Sequence, residues 1–395
     1  MLWLPRRRFL AHSIATGAAL ALPGCDRPAP PPTPAPTGFP GKVSDLVLHT
    51  DRPPNLETPT KYFVHDLTPN DAFFVRWHLA LLPLATDPAT WRLRVDGHID
   101  APQSLSLDDL RRMEPVELVA VNQCSGNSRS LFEPRVPGVQ WRNGAVGNAR
   151  WKGVRLRDVI AASRPKAGAV DVSFHGMDRA PLPSVAEYEK SLPFDVATAG
   201  DVLLAYEMNG APLPLLNGFP LRVVAPGLYS TYWVKALDRL SVHAAPYDGY
   251  WVKKAYRVPQ GGVSETPDAL AKDTVPIGKM KVRSLLVSPE EGAKVQVGKP
   301  VELEGIAWDG GTGIARVEVS FDDGATWVDA RLDAELGKHS FRRFRATWTP
   351  KDAGPRLVMV RATNGAGEKQ PDAPGWSRSG YLRNVVERVT VTVSA

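Results

Sequence analysis

Cysteine is almost missing from this chain: 395 residues hold two, Cys25 and Cys124. With Cys25 at the end of a leader, one thiol remains in the folded part, so no internal disulfide can form there. A haem attached through Cys-x-x-Cys-His is excluded on the same count. Long apolar runs are also scarce. Ile14–Leu22 is too short to span a bilayer comfortably, and nothing later is longer. Charge of one sign is limited, because Arg6–Arg8 supply three of the six net positive charges. With no basic stripe carrying interleaved aromatics, nucleic-acid binding is a poor reading. There is no solenoid repeat and no flavin or nicotinamide fingerprint; Gly310-Gly311-Thr312-Gly313 lies between strand-like runs and reads as a turn.

What is present begins with a leader over residues 1–25: charged, then apolar, then small. Arg6-Arg7-Arg8-Phe9-Leu10 fits the twin-arginine export pattern, which carries proteins already folded around a cofactor. The expected location is therefore the periplasm. Leu22-Pro23-Gly24-Cys25 resembles a lipoprotein cleavage box, with Pro23 atypical. A lipid anchor on Cys25 and simple cleavage are the two alternatives. Residues 26–42 read as a semi-rigid linker, with six prolines in positions 28–36.

The length favours two domains. Residues 43–280 mix short strand-like runs with Gly- and Pro-bearing loops and two helices, one starting at an N-cap Ser106 and one over Val154–Ser163. From residue 281 to 395 the texture becomes alternating strands, with Asp322-Asp323-Gly324 as a hairpin turn. The expected class is α+β: a mixed cofactor-binding domain followed by an all-β, immunoglobulin-like sandwich without a disulfide.

The chemistry-bearing stretch is Cys124-Ser125-Gly126-Asn127 with Arg129, then Trp141, Gly144-Ala145 and Ala149-Arg150-Trp151. Flanking it are Phe73-Phe74-Val75-Arg76-Trp77-His78-Leu79, Leu204–Gly210, Gly218–Gly227, Trp233-Val234-Lys235 and Arg383-Asn384-Val385-Val386. In these ordered segments the chain resembles the sulfite oxidase family from about residue 43 to the end, and in particular its bacterial cytochrome-linked sulfite dehydrogenases.

The resemblance implies molybdenum bound by a molybdopterin with one dithiolene, with Cys124 as the protein's thiolate ligand. It implies catalytic roles for Arg76, Arg129, Trp141 and Tyr256, and pterin contacts from His78, Asp178, Asn217, Arg222, Trp233 and Lys235. Asn217 departs from the animal pattern, which has a histidine there, so a weaker neutral contact is expected. Sulfite as substrate, a separate c-type cytochrome as acceptor or subunit, and a homodimer through the C-terminal domain are implied as well.

The physical chemistry is consistent with these roles. A soft thiolate suits molybdenum, and planar arginine forks match the oxygens of an anion. Without the family match each residue has a blander reading: a buried free cysteine, surface arginines, a core tyrosine. Two other functions are compatible with the sequence: a molybdenum-dependent reductase of an oxo compound such as methionine sulfoxide, and a non-catalytic partner-binding lipoprotein.

Overall fold

The computed structural model describes residues 33–34, 38–262 and 264–395. The leader, Cys25 and most of the proline-rich linker lie outside the described residues. Strands dominate, and the helices are shorter than an α+β reading suggests. Four α-helices occur among the described residues, Leu107–Arg112, Leu156–Ala162, Phe194–Ala197 and Tyr250–Lys253, the longest of seven residues.

The helix after Ser106 forms for the expected reason. Ser106 Oγ accepts from the Asp109 amide at 3.1 Å, and Asp109 returns a carboxylate to the Ser106 amide at 2.8 Å. The expected helix over Val154–Ser163 starts late. Val146–Arg155 is a strand whose Val154 faces Leu204 across an antiparallel pair, so β-pairing claims Val154 and Arg155 before the helix begins.

Among the described residues, two five-stranded sheets form the body of the first region, beside a four-stranded sheet that includes Val47–Asp51, Pro54–Glu57 and Val75–Arg76 and a two-stranded pair of Arg257–Pro259 with Thr274–Pro276. One five-stranded sheet runs Glu189–Pro193, Asp171–Gly176, Leu237–His243, Leu93–Gly97 and Gln103–Leu105, with one parallel pair in its centre. The other contains Val116–Gln123, Val146–Arg155 and Leu203–Met208, with Arg222–Val224 paired to the last. Their apolar faces merge into one large core that includes Trp151, Phe174, Leu204 and Trp233.

The C-terminal region is a two-sheet sandwich. Arg283–Ser288, Val301–Trp308 and Arg342–Trp348 belong to one sheet; Ile314–Ser320, Gly354–Asn364 and Glu387–Ser394 belong to the other. A second core, with Leu303, Phe344, Val317, Val360 and Val391, is shared by both. Glu387–Ser394 alternates buried and exposed at every residue, the period-two pattern its Val/Thr sequence dictates. Asp322-Asp323-Gly324 turns the chain between Ile314–Ser320 and its partner Val328–Asp329.

The two regions are stitched together beside the loop that follows Val116–Gln123. Leu382 donates its amide to the Ser125 carbonyl at 3.2 Å, and Trp308 donates its indole N–H to Gln123 Oε1 at 2.8 Å. That loop carries Cys124.

Candidate active site

Cys124 is the first residue beyond Val116–Gln123, and its side chain is buried. Backbone bonds hold the turn around it: Cys124 N–H to Ala145 O at 2.9 Å, and Asn127 N–H to Cys124 O at 3.0 Å. Asn127 Oδ1 accepts from the Ala145 amide at 2.9 Å, so this side chain orients the loop. Gly126 serves the packing of a neighbouring side chain. A Cβ there would lie 2.4 Å from Arg129 Nη2, so glycine makes room for the guanidinium packed on it.

Cys124, Ser125, Arg76 and Tyr256 line two cavities at once. The inner one is a narrow cleft whose wall includes His78, Asn122, Tyr188, Asn217, Arg222 and Lys235. The outer one, of about 310 Å³, opens towards solvent; its charged residues are Arg76, Arg129 and Arg378, with no carboxylate. The sulfur thus stands between a buried polar cleft and a cationic mouth.

Arg129 is fixed by its own turn and by the second region. It donates Nη1–H to Val139 O at 3.0 Å and Nη2–H to Ser379 O at 3.2 Å. Its guanidinium lies 5.4 Å from the Tyr381 ring centroid. Arg76 is held by Asn55 Oδ1 at 3.2 Å and by the Trp77 carbonyl. Tyr256 has φ +56°, an uncommon backbone state for a bulky residue. Its hydroxyl pairs with His78 Nε2, and its ring stacks on Tyr381 at 5.6 Å. Burial raises the Tyr256 hydroxyl above the usual phenol range. Burial, reinforced by Arg76, Lys235 and Lys190, holds His78 well below its ordinary value.

Arg222 and Lys235 lie deeper in the cleft wall. Arg222 donates to Asn217 O at 2.8 Å and Trp233 O at 3.2 Å, and burial lowers it to about 9. Lys235 reaches the Arg76 carbonyl, 4.4 Å from the Trp77 ring; burial, then repulsion from Arg222, brings it down to about 7. Trp233 lines the cleft with its indole N–H on Leu228 O at 3.0 Å.

Three expected site residues sit differently. Trp141 is fully buried against His49, 4.8 Å between ring centroids, and lines neither cavity; its carbonyl accepts from the Ser130 amide and so supports the Arg129 turn. The large indole packs where it buries most apolar surface, which is the core behind the loop. Asp178 is buried near Lys235 but outside the cleft lining, and burial raises its carboxyl. Asn217 does line the cleft, yet its amide is already engaged: Nδ2 donates to Phe74 O at 3.1 Å and Oδ1 accepts from Lys42 Nζ at 2.6 Å.

Lys42, read from sequence as the last linker residue, also donates to Asn70 O and Phe73 O at 2.7 and 2.9 Å. It is therefore an anchored part of the site's back wall. Sequence reasoning missed it because nothing in Gly41-Lys42-Val43 marks a buried ammonium. It also missed Tyr188, stacked on His78 at 3.9 Å, and Tyr381. Tyr381 had a usable signal, lying two residues before the Arg383-Asn384 segment.

Residues 78–251 match the oxidoreductase molybdopterin binding domain, and residues 274–394 match the Mo-co oxidoreductase dimerisation domain. The mitochondrial sulfite oxidase of Homo sapiens is 38% identical over 88% of this chain. The sulfite oxidase of Arabidopsis thaliana is 31% identical over 89% of this chain and 94% of its own length. The chain belongs to the sulfite oxidase family. It spans 66% of the human protein's length. Among solved structures, the sulfane dehydrogenase SoxCD of Paracoccus pantotrophus shares the fold, with a TM-score of 0.73 at 22% identity over 91% of this chain and 94% of that one.

The family's molybdenum–molybdopterin cofactor fits this cleft. Asn122 Oδ1, Ser125 Oγ and Arg222 Nε are buried in its wall without partners, as expected where a polar pterin supplies them. The buried cations Arg222 and Lys235 match a phosphate. Among the described residues no cluster of three His, Cys, Asp or Glu could ligate a metal. Cys124 is the free thiol in the cleft lining.

Proposed function

We propose that this chain oxidises sulfite to sulfate, with Cys124 as the molybdenum ligand, and passes the electrons to a separate c-type cytochrome. The observation that carries the reading is the outer cavity: Arg76, Arg129 and Cys124 line it with no carboxylate among the lining residues, and Arg378, also in the lining, is offset by Glu265 at 3.8 Å behind it. A site so charged favours a small oxyanion. When bound, molybdenum supplies the oxygen-transfer and two-electron chemistry. The residues bind and orient the anion.

Arg129 is pre-ordered by two carbonyls and a tyrosine face. Held this way in the outer-cavity wall, its fixed charge can face an oxyanion with little reorganisation. Arg76 faces the same space. Sulfate takes its new oxygen from water, so each turnover releases two electrons and two protons. The Tyr256 hydroxyl and His78 Nε2 share a hydrogen bond at the cleft wall. Burial and the surrounding cations keep His78 neutral, so its ring nitrogen can share the hydroxyl's hydrogen bond and orient Tyr256 at the cleft wall.

The twin-arginine pattern at Arg6–Leu10 supports export to the periplasm, and Cys25 supports a lipid anchor. The dimerisation-domain match supports a homodimer through an immunoglobulin-like sandwich. The test is anaerobic mixing of cofactor-loaded protein with sulfite, followed by oxidised cytochrome c. Rapid haem reduction is the expected result. Efficient turnover with oxygen alone, or faster reduction of methionine sulfoxide, overturns the reading.

A further inference from the structure

Electrons must leave a cleft walled by aromatic rings. His78, Tyr188 and Tyr256 line it. Tyr188 stacks on His78 at 3.9 Å, and Trp251 packs edge-on against both at 5.1 Å. Tyr250 packs against Trp251 at 5.2 Å and is 54% exposed. Four touching rings therefore lead from the cleft wall to the surface.

At their outer end lies an apolar patch. Leu182 is 63% exposed and Leu81 54%; Val185 is exposed too. Bonds tie together the chain segments that carry these residues. Trp251 donates its indole N–H to Glu187 O at 2.8 Å, Leu81 and Arg179 exchange amide bonds at 2.9 Å, and Arg179 pairs with Glu187 at 3.0 Å. Exposed apolar side chains grouped like this mark interaction sites. The exposed Lys253 and Lys254 stand on one side. Lys253 is paired with Asp248 at 3.1 Å, and among the described residues Lys254 has no carboxylate within ion-pair distance. Arg179 and Glu187 offset each other, which leaves the rim net positive.

We infer that the face formed by Leu81, Leu182, Val185 and Tyr250, with Lys254 at its edge, docks the electron acceptor: a small haem protein whose exposed haem edge is ringed by acidic residues. This rests on the proposed sulfite oxidation. Each sulfite, with one water, yields sulfate, two protons and two electrons, and two ferric haems are reduced one after the other. The rings act as a tunnelling bridge that shortens the gap to the haem; none need be oxidised. The apolar patch supplies the dry contact and the lysines the steering, the usual division at a transient redox interface.

The experiment compares two oxidants on the loaded protein: ferricyanide, which needs no docked partner, and an acidic c-type cytochrome. Leu182→Ser/Tyr250→Ser should keep sulfite turnover with ferricyanide and lose about tenfold or more in kcat/KM with the cytochrome. Lys254→Glu should lower the cytochrome rate, flatten its salt dependence, and raise the rate with a basic cytochrome c. Cytochrome Kd measured by calorimetry without sulfite should weaken in parallel. Unchanged cytochrome kinetics in both variants would overturn the docking face while leaving sulfite oxidation standing. Wild-type protein that turns over with neither oxidant defeats the proposed function itself. Turnover with ferricyanide alone, or a shift of sedimentation from dimer to monomer in Leu182→Ser/Tyr250→Ser, also overturns the docking face.

Discussion

Arg283 lies in the sandwich, 1% exposed, yet its guanidinium serves the catalytic loop. Nη2–H donates to Ser128 Oγ at 2.5 Å and Asn143 Oδ1 at 2.9 Å, and Glu387 lies 3.9 Å away. Ser128, at φ +68°, immediately precedes Arg129, so this bond bears on the direction of the clamp. Arg283→Met removes two charge-assisted bonds and takes from Glu387 its ion-pair partner. Losing one partner of a buried pair costs about 3–5 kcal/mol. Ser128 and Asn143 retain their mutual bond at 2.5 Å, and Glu387 keeps Asn143 Nδ2 at 2.7 Å, which holds the cost near the lower end. Burial already strains this arginine, lowering it to about 10, so part of the loss is offset. The expected net is about 3 kcal/mol, or roughly 5–10 °C in melting temperature. The sulfite KM should rise about fivefold, equivalent to about 1 kcal/mol, as the Arg129 turn loosens. Differential scanning calorimetry and steady-state sulfite kinetics read the two effects. Arg283→Met/Glu387→Gln should recover part of the melting temperature but not the KM. A single variant that melts with wild type and binds sulfite equally well would refute the coupling.

Cys124→Ser should fold but lose bound molybdenum and nearly all sulfite oxidation. Metal analysis and circular dichroism check this together, and full activity would remove the thiolate from its role. Arg129→Met should raise the sulfite KM about tenfold, since a charge-assisted contact contributes about 1.5–3 kcal/mol. Unchanged sulfite kinetics would contradict the clamp. Burial lowers Lys190 to about 7 in the folded chain against an ordinary 10.5. Between these values the unfolded chain binds the extra proton, so this group makes stability rise as pH increases from about 7 towards 10. Lys190→Met should flatten that rise in chemical denaturation curves, and an identical slope would count against the buried ammonium.

Much of the site was legible because its residues fall in short local patterns. Cys124, Arg76, Arg129, Tyr256 and His78 each stand out within their own segment, and the structure brings all five to one pair of cavities. Trp141 misled because a segment records that an indole is present but not which side of the loop it packs on. The helix at Val154 misled for a related reason: strand pairing with Leu204, distant in sequence, outweighed local propensity.

By itself, the sequence determined the family, the cofactor and the polarity of the chemistry, because a thiolate, arginine forks and alternating strands carry their physics locally. Only the tertiary structure decided what surrounds them. Burial moves His78 and Lys235 from their ordinary ionisation, because desolvation depends on every neighbour. Lys42 becomes part of a wall with Asn217, 175 residues away, and Ser379 and Tyr381 of the second region complete the cradle of Arg129. Such contacts join residues with no common pattern along the chain, so they exist only once the core has closed.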